Sequence, residues 1–269
     1  EFNDFGLYGL ETYAISGIEA HHMAIDYYII DSLSYKNRFE KAFGDDIPKS
    51  DFVGPGYGGI AIAAYLRTII ADEAPFQKWL NGKSDAMTES QKIGANLFFG
   101  KAECASCHNG PALNGWTWDD PTSKFYAIGL NDIHNLPNAF ITATDFDVRD
   151  GRGGFTGRGV DFYKFKVPQL YNLKDNRFYG HGSSFSSVKA LIDYKNRGQI
   201  QNNNINIDNI SPRFKPLNLT DEEIDQLTDF IENALYHPTL VEDYQPDEVN
   251  SLNCIPNNDM ASRLSLECE

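Results

Sequence analysis

Three observations predict an all-α fold for this chain of 269 residues. Apolar residues recur at helical spacing in several separate segments, as in Tyr35, Phe39 and Phe43 or in Ile224, Leu227, Phe230 and Ile231. Two such segments open on a capping box, Thr88 with Gln91 and Thr220 with Glu223. In each, a hydroxyl and a longer polar side chain satisfy one another's backbone N–H groups. No extended stretch alternates apolar and polar residues as a half-buried strand would.

Taken in order, the chain begins with glycine-punctuated aromatics and is expected to become helical from about Ala14. A second helix is read over 33–43, ended by Gly44, and Asp45 to Gly59 reads as a Pro/Gly-rich loop. Ile60 to Ile70 is almost continuously apolar, broken by Arg67, and reads as a buried helix. Pro75 opens a short helix, Phe76 to Leu80, which Gly82 stops. The Thr88 box starts a helix carrying Ile93, Leu97 and Phe98, stopped by Gly100. Ala112 to Lys166 shows little periodicity, too long a stretch for a free loop in a compact domain unless something else supplies its core. Ser186 or Ser187 caps a helix from Val188 to Asn196, closed by Gly198. The Thr220 box opens the last strong helix, with Leu235 on its apolar face and Pro238 just beyond.

Between the Thr88 helix and the irregular stretch lies Cys104-Ala105-Ser106-Cys107-His108. Two thiols three positions apart share one face of a helical turn, so both can add to the vinyl groups of one haem. The next residue, His108, then falls beneath the iron as proximal ligand. A zinc site would need a second ligand pair, and the remaining cysteines, Cys254 and Cys268, are too widely spaced. A thioredoxin-like dithiol would need a preceding strand and a βαβ context, and neither is evident. The motif therefore predicts a covalently bound haem c, which would also supply the core for the stretch after it. Gly151 to Gly159 resembles a phosphate loop only superficially, with no strand before it and no helix pattern after it. Its Arg152 and Arg158 read as solvated, with a haem propionate as the alternative partner.

Hydrophobic residues make up 41% of the chain and aromatic residues 13%, enough for a sizeable core around a porphyrin. No run of eighteen apolar residues exists, so no transmembrane segment is expected. The net charge of −15 argues against nucleic acid and for a basic protein partner. Haem is attached to thiols outside the bacterial cytoplasm, and Cys254 with Cys268 fits a disulfide in an oxidising compartment. A periplasmic or otherwise extracytoplasmic location is expected. Glu1-Phe2-Asn3-Asp4 lacks a positive n-region, so an export signal is expected to have been removed or not included.

These residues resemble the bacterial dihaem cytochrome c peroxidases and their relative MauG. The resemblance is carried by the haem motif, Ile62-Ala63-Ala64-Tyr65-Leu66-Arg67-Thr68 and Phe76-Gln77-Lys78-Trp79-Leu80. Phe165-Lys166-Val167-Pro168-Gln169-Leu170-Tyr171-Asn172 and the helix from Leu219 onward add to it. It runs from about Ile18 to the end. It implies a helical interdomain and distal-pocket segment over 1–84, a cytochrome c-like haem domain with long irregular loops over 85–240, and a disulfide-stapled tail over 241–269. Family members carry two haem motifs and this chain has one, similar to the second. The resemblance thus implies a C-terminal portion whose partner is an N-terminal haem domain or chain holding the second haem.

Two site assignments follow from the resemblance. The segment matching Ile18 to Met23 supplies a catalytic acid or base over the peroxide-reactive haem, which here would be His22 or Glu19. Counting without gaps from Gly182-Ser183, Tyr194 falls where the peroxidases place methionine and MauG places tyrosine, so Tyr194 is the expected sixth ligand opposite His108. The family's tyrosine/phenylalanine–histidine–aspartate–glycine element reads here Phe178-Tyr179-Gly180-His181-Gly182, with the histidine moved one place. Asp175, Asn176 and Arg177 stand where relatives help to bind calcium. That leaves calcium allowed, on a thin set of oxygen ligands.

The implied function is hydrogen peroxide reduction, with electrons from a small donor protein, a cytochrome or cupredoxin, relayed through the His108 haem. A MauG-like protein-oxidising dihaem enzyme is the first alternative, and a monohaem electron-transfer module without catalysis the second. A homodimer is compatible with either.

Overall fold

In the computed structural model the residues described are 9–20, 36–44, 55–115, 124–131, 151–154 and 156–244. His22, the Cys254 and Cys268 pair, Met23 and Met260 lie outside them. The chain divides into two compact units, one of Glu1–Ile70 with Thr239–Glu269 and one of Ala71–Pro238.

In the first unit, α1 (Leu10–Ala20) packs against α3 (Pro55–Leu66), while α2 (Lys36–Phe43) lies between them in sequence. Ile15 and Ile18 are buried on α1, and Ala63 on α3. α3 differs from its sequence reading: it starts five residues earlier, inside the expected loop, and ends at Leu66 rather than Ile70. Proline is at home in a first helical turn, and the glycines after it do not break the helix but let α1 approach. A Cβ at Gly59 would lie 2.4 Å from the Ile15 side chain. Arg67 then pairs with Glu11 at 2.6 Å. The Tyr65 hydroxyl donates to the Tyr244 carbonyl at 2.9 Å, and the Tyr244 hydroxyl to Ile70 at 3.0 Å.

The second unit is built on α4 (Pro75–Leu80), α5 (Glu89–Phe99), α6 (Val188–Arg197) and α7 (Asp221–Asp229). Both expected capping boxes form, with all four reciprocal bonds between 2.8 and 3.3 Å. Ser187, rather than Ser186, caps α6 by accepting from the Ala190 N–H at 3.1 Å, and Gly198 closes it at φ +59°. α5 and α7 cross at Gly94, where a Cβ would lie 2.1 Å from the Gln226 carbonyl oxygen. Around this crossing Phe98, Phe230, Leu227 and Leu235 are fully buried, and Phe76 of α4 meets Phe230 edge-on at 5.2 Å. The short helix read with the N-terminal segment thus packs on this core. The last turn of the Thr220 helix is wider than expected, since Phe230–Ala234 is a π turn.

The all-α expectation holds with one small addition. Phe125–Tyr126 and Phe165–Lys166 pair as an antiparallel ribbon, β1 and β2, extended by the Val167 N–H donating to Lys124 at 2.8 Å. Two residues per strand are too few to show alternation in a sequence. Arg152 is largely covered, its side chain 19% exposed, whereas Arg158 is 67% exposed, in line with its sequence reading. With Lys164 they surround the buried Asp161 carboxylate at 3.6–3.8 Å, and the Arg152 guanidinium lies 4.1 Å over the Phe125 ring.

Candidate haem site

α5 ends at Gly100, and a single 3₁₀ turn, Cys104–Ser106, follows. Glu103 enters that turn in the left-handed region at φ 51°. The Cys107 and His108 N–H groups both donate to the Cys104 carbonyl, at 3.1 and 2.8 Å. That winding brings Cys104, Cys107 and His108 together on one cavity of ≈ 540 Å³, inside the range of cofactor pockets. The loop after the motif then folds back: Leu113 donates to Gly110 at 3.0 Å and Gly115 to Asn109 at 3.3 Å.

The return loop fixes the histidine. The His108 Nδ1–H donates to the Leu113 carbonyl at 3.0 Å, which assigns the proton to Nδ1 and leaves the Nε2 lone pair for a metal. Burial pushes the imidazole down to about 4, with the Lys195 charge acting the same way and the Leu113 and Pro168 carbonyls opposing. The ring is therefore neutral at physiological pH, as an iron ligand must be. Burial likewise pushes the Cys104 thiol up to about 11, against the Lys195 charge and with the help of Cys107.

The cavity walls are mostly apolar. α5 contributes Phe98, α7 Leu227, the π turn after it Ile231, the ribbon Tyr126 and Phe165, and the segment after the ribbon Val167 and Pro168. α6 contributes Val188, Leu191, Ile192 and Lys195, which fall at i, i+3, i+4 and i+7 on one face. Near the mouth, Arg213 donates to the Ser106 carbonyl and, at 3.0 Å, to the Tyr126 hydroxyl. Lys215 pairs with Glu103 at 3.0 Å. An apolar slot holding two thiols and one neutral imidazole, edged by cations, suits a haem c with its propionates toward solvent.

The structure brings Cys104, Cys107 and His108 together but not Tyr194. Tyr194 is 2% exposed, packs between Phe185 and Phe214, and is not part of the cavity wall. Its hydroxyl donates to the Ile128 carbonyl at 2.5 Å, and burial pushes the phenol up to about 12. The physical reason is helical geometry: neighbours on a helix point about 100° apart, so Tyr194 and Lys195 face different surroundings. The residue that α6 turns to the cavity is Lys195, which sequence reading passed over. The 188–191–192–195 spacing carries that signal.

Glu19 lies on α1. Met87 is buried in the core of the second unit and is not part of the cavity wall. His181 lines the cavity, its ring stacked 4.0 Å from that of Phe165. Of the residues named for calcium, Asp175 accepts from the Tyr236 hydroxyl at 3.2 Å. Among the described residues no group of three or more His, Cys, Asp or Glu side chains could hold a metal ion. Nor is any described helix long and apolar enough to cross a membrane.

Fold and site together define a helical protein built to attach a c-type haem. No protein-family model matches the chain. Cytochrome-c peroxidase IdrP1 of Pseudomonas sp. (strain SCT) is 31% identical over 240 residues, covering 79% of this chain and 58% of that protein. Methylamine utilization protein MauG of Methylorubrum extorquens is 29% identical over 209 residues, covering 77% and 51%. Cytochrome c551 peroxidase of Nitrosomonas europaea is 30% identical over 177 residues, covering 66% and 46%. Among solved structures, the diheme peroxidase BthA of Burkholderia thailandensis superposes with a TM-score of 0.57 at 18% identity, covering 79% of this chain and 58% of that one. A MauG-like protein associated with microbial copper homeostasis gives 0.56 at 23%, covering 74% and 64%. The chain is thus similar to the bacterial dihaem cytochrome c peroxidases and MauG, and spans about half the length of these relatives.

Proposed function

We propose that this chain is the electron-relay half of a periplasmic dihaem cytochrome c peroxidase. Its haem c is tethered at Cys104 and Cys107 and ligated by His108. The observation that carries the reading is the cavity itself, in which both thiols and the Nε2 lone pair of a neutral imidazole converge on an apolar slot. A haem bound there supplies a one-electron Fe(III)/Fe(II) couple. The chain's own residues hold and tune it. The Leu113 carbonyl keeps the imidazole oriented, the aliphatic face of α6 excludes water, and Arg213 with Lys215 offsets charge at the mouth.

In this reading a small donor protein, a cytochrome or cupredoxin, reduces the His108 haem. A second haem, in an N-terminal domain or chain, reduces hydrogen peroxide to water. Glu19 or His22 then moves the proton at that second site, as their place in the segment resembling the family's distal loop suggests. Calcium between the haem domains, a Cys254–Cys268 disulfide and a homodimer remain parts of the same proposal. The MauG-like, protein-oxidising alternative goes with tyrosine ligation at Tyr194, whose hydroxyl donates to the Ile128 carbonyl here.

The test uses the full dihaem protein and follows peroxide-dependent oxidation of a reduced donor cytochrome. Cys104→Ser with Cys107→Ser should abolish donor oxidation while the N-terminal haem still binds peroxide. Glu19→Gln combined with His22→Ala should slow peroxide turnover with the His108 haem still reducible. Donor oxidation that survives the cysteine substitutions rejects the relay.

A further inference from the structure

The strongest unassigned feature of the molecule is a cation inside the haem cavity. Lys195 projects from α6 into a space whose other α6 walls are Val188, Leu191 and Ile192. No hydrogen bond or ion pair within the described residues holds its Nζ. Asp193, two residues earlier, is paired with Arg197 at 3.1 Å. Glu103, on the cavity wall, is paired with Lys215. An ammonium in an apolar cavity without a carboxylate is costly, whereas a neutral amine there is a ready nitrogen donor.

We propose that the Lys195 Nζ is the sixth ligand of the iron, opposite His108, in the haem c held by Cys104 and Cys107. The proposal rests on the haem reading above and deepens it. Lys195 lines the same cavity as Cys104, Cys107 and His108. Of the other donors, the His181 ring is stacked on that of Phe165 at 4.0 Å. The Tyr194 hydroxyl is bound to Ile128, and the Tyr179 hydroxyl donates to Leu173 and Asn176 at 2.8 and 2.9 Å. Lys166 donates to the Val167 carbonyl at 2.9 Å. On ligation the ammonium releases its proton to solvent and the nitrogen lone pair forms the bond to iron. No electron transfer accompanies the step.

A different role is open to a lysine in this place, pairing a haem propionate. Arg213 and Lys215 are exposed and suited to that purpose, whereas Lys195 is half-buried and shares its helix face with aliphatic side chains. The two roles separate experimentally, because arginine can pair a carboxylate and cannot take the amine's place on iron.

The experiment uses ferric holoprotein, with covalent haem first established by pyridine haemochrome, and reads the absorption and electron paramagnetic resonance spectra. Wild type should be low-spin and lack the far-red sulfur-to-iron band. Lys195→Ala and Lys195→Arg should both become high-spin or water-ligated, and propylamine added to Lys195→Ala should restore the low-spin form. Lys195→Met should acquire the far-red band, a gain that a misfolded variant would not show. Tyr194→Phe and His181→Asn should keep the wild-type spectrum. A wild-type spectrum in Lys195→Arg, or loss of the low-spin signal in Tyr194→Phe or His181→Asn, overturns the assignment. Absence of covalent haem in the wild type would instead reject the reading on which it rests.

Discussion

Cys104→Ser combined with Cys107→Ser should leave the second unit without stable tertiary structure. Both thioether links would be gone, and with them the cofactor that fills the middle of the core. Unfilled core volume costs about 24 cal/mol per Å³, so a cavity of ≈ 540 Å³ represents a penalty on the order of 10 kcal/mol. That is an upper bound, because the cavity opens to water, yet it is comparable with the whole stability of a domain, about 5–15 kcal/mol. The expected outcome is a chain that keeps much of its far-ultraviolet helix signal and loses its near-ultraviolet aromatic signal and cooperative melting. A double variant that still melts cooperatively within a few degrees of the holoprotein would show that the side chains alone make a sufficient core.

The second large effect is expected at Gly94. An alanine methyl there would lie 2.1 Å from the Gln226 carbonyl oxygen and 2.7 Å from the Phe230 Cβ. The oxygen is backbone, so the crossing of α5 and α7 must open, and Phe98, which walls the cavity, must move with it. Overpacking of this kind costs about 1–3 kcal/mol, and backbone contact puts Gly94→Ala at the upper end. In a unit of this size that lowers the melting temperature by on the order of 10 °C. Gly17→Ala in α1 is the contrast: no atom stands within 4 Å of its Cβ position, so the change should be neutral or stabilising by up to about 1 kcal/mol. Equal melting temperatures for holoprotein and Gly94→Ala would contradict the described crossing.

What was legible in the sequence is what local chemistry determines. The two capping boxes, the Gly198 closure and the winding of Cys104 to His108 each depend on a few adjacent residues. The α5–α7 core follows from their apolar spacing. What was not legible depends on partners distant in the chain. Pro55 to Gly59 reads as a breaker until Ile15 is seen to need the space that Gly59 leaves. Arg152 reads as solvated because Asp161, which draws it in, is buried only in the folded loop. The ribbon is too short to carry a pattern, and the π turn at Phe230 has no sequence signature of its own. The Tyr194 and Lys195 difference is of the same kind. The helix and its cap were read correctly, but which residue of α6 faces the cavity, Lys195 rather than Tyr194, depends on packing against distant segments.

The most direct test of the account is peptide mapping of holoprotein matured in a cell with a c-type haem attachment system, read by mass spectrometry beside an alkaline pyridine haemochrome spectrum. The account predicts one haem on the peptide spanning Cys104 to His108, joined through both sulfurs, and a haemochrome spectrum of the two-thioether type that persists after acid–acetone extraction. Recovery of that peptide with both thiols free to alkylation, and of the haem in the organic layer, would contradict it.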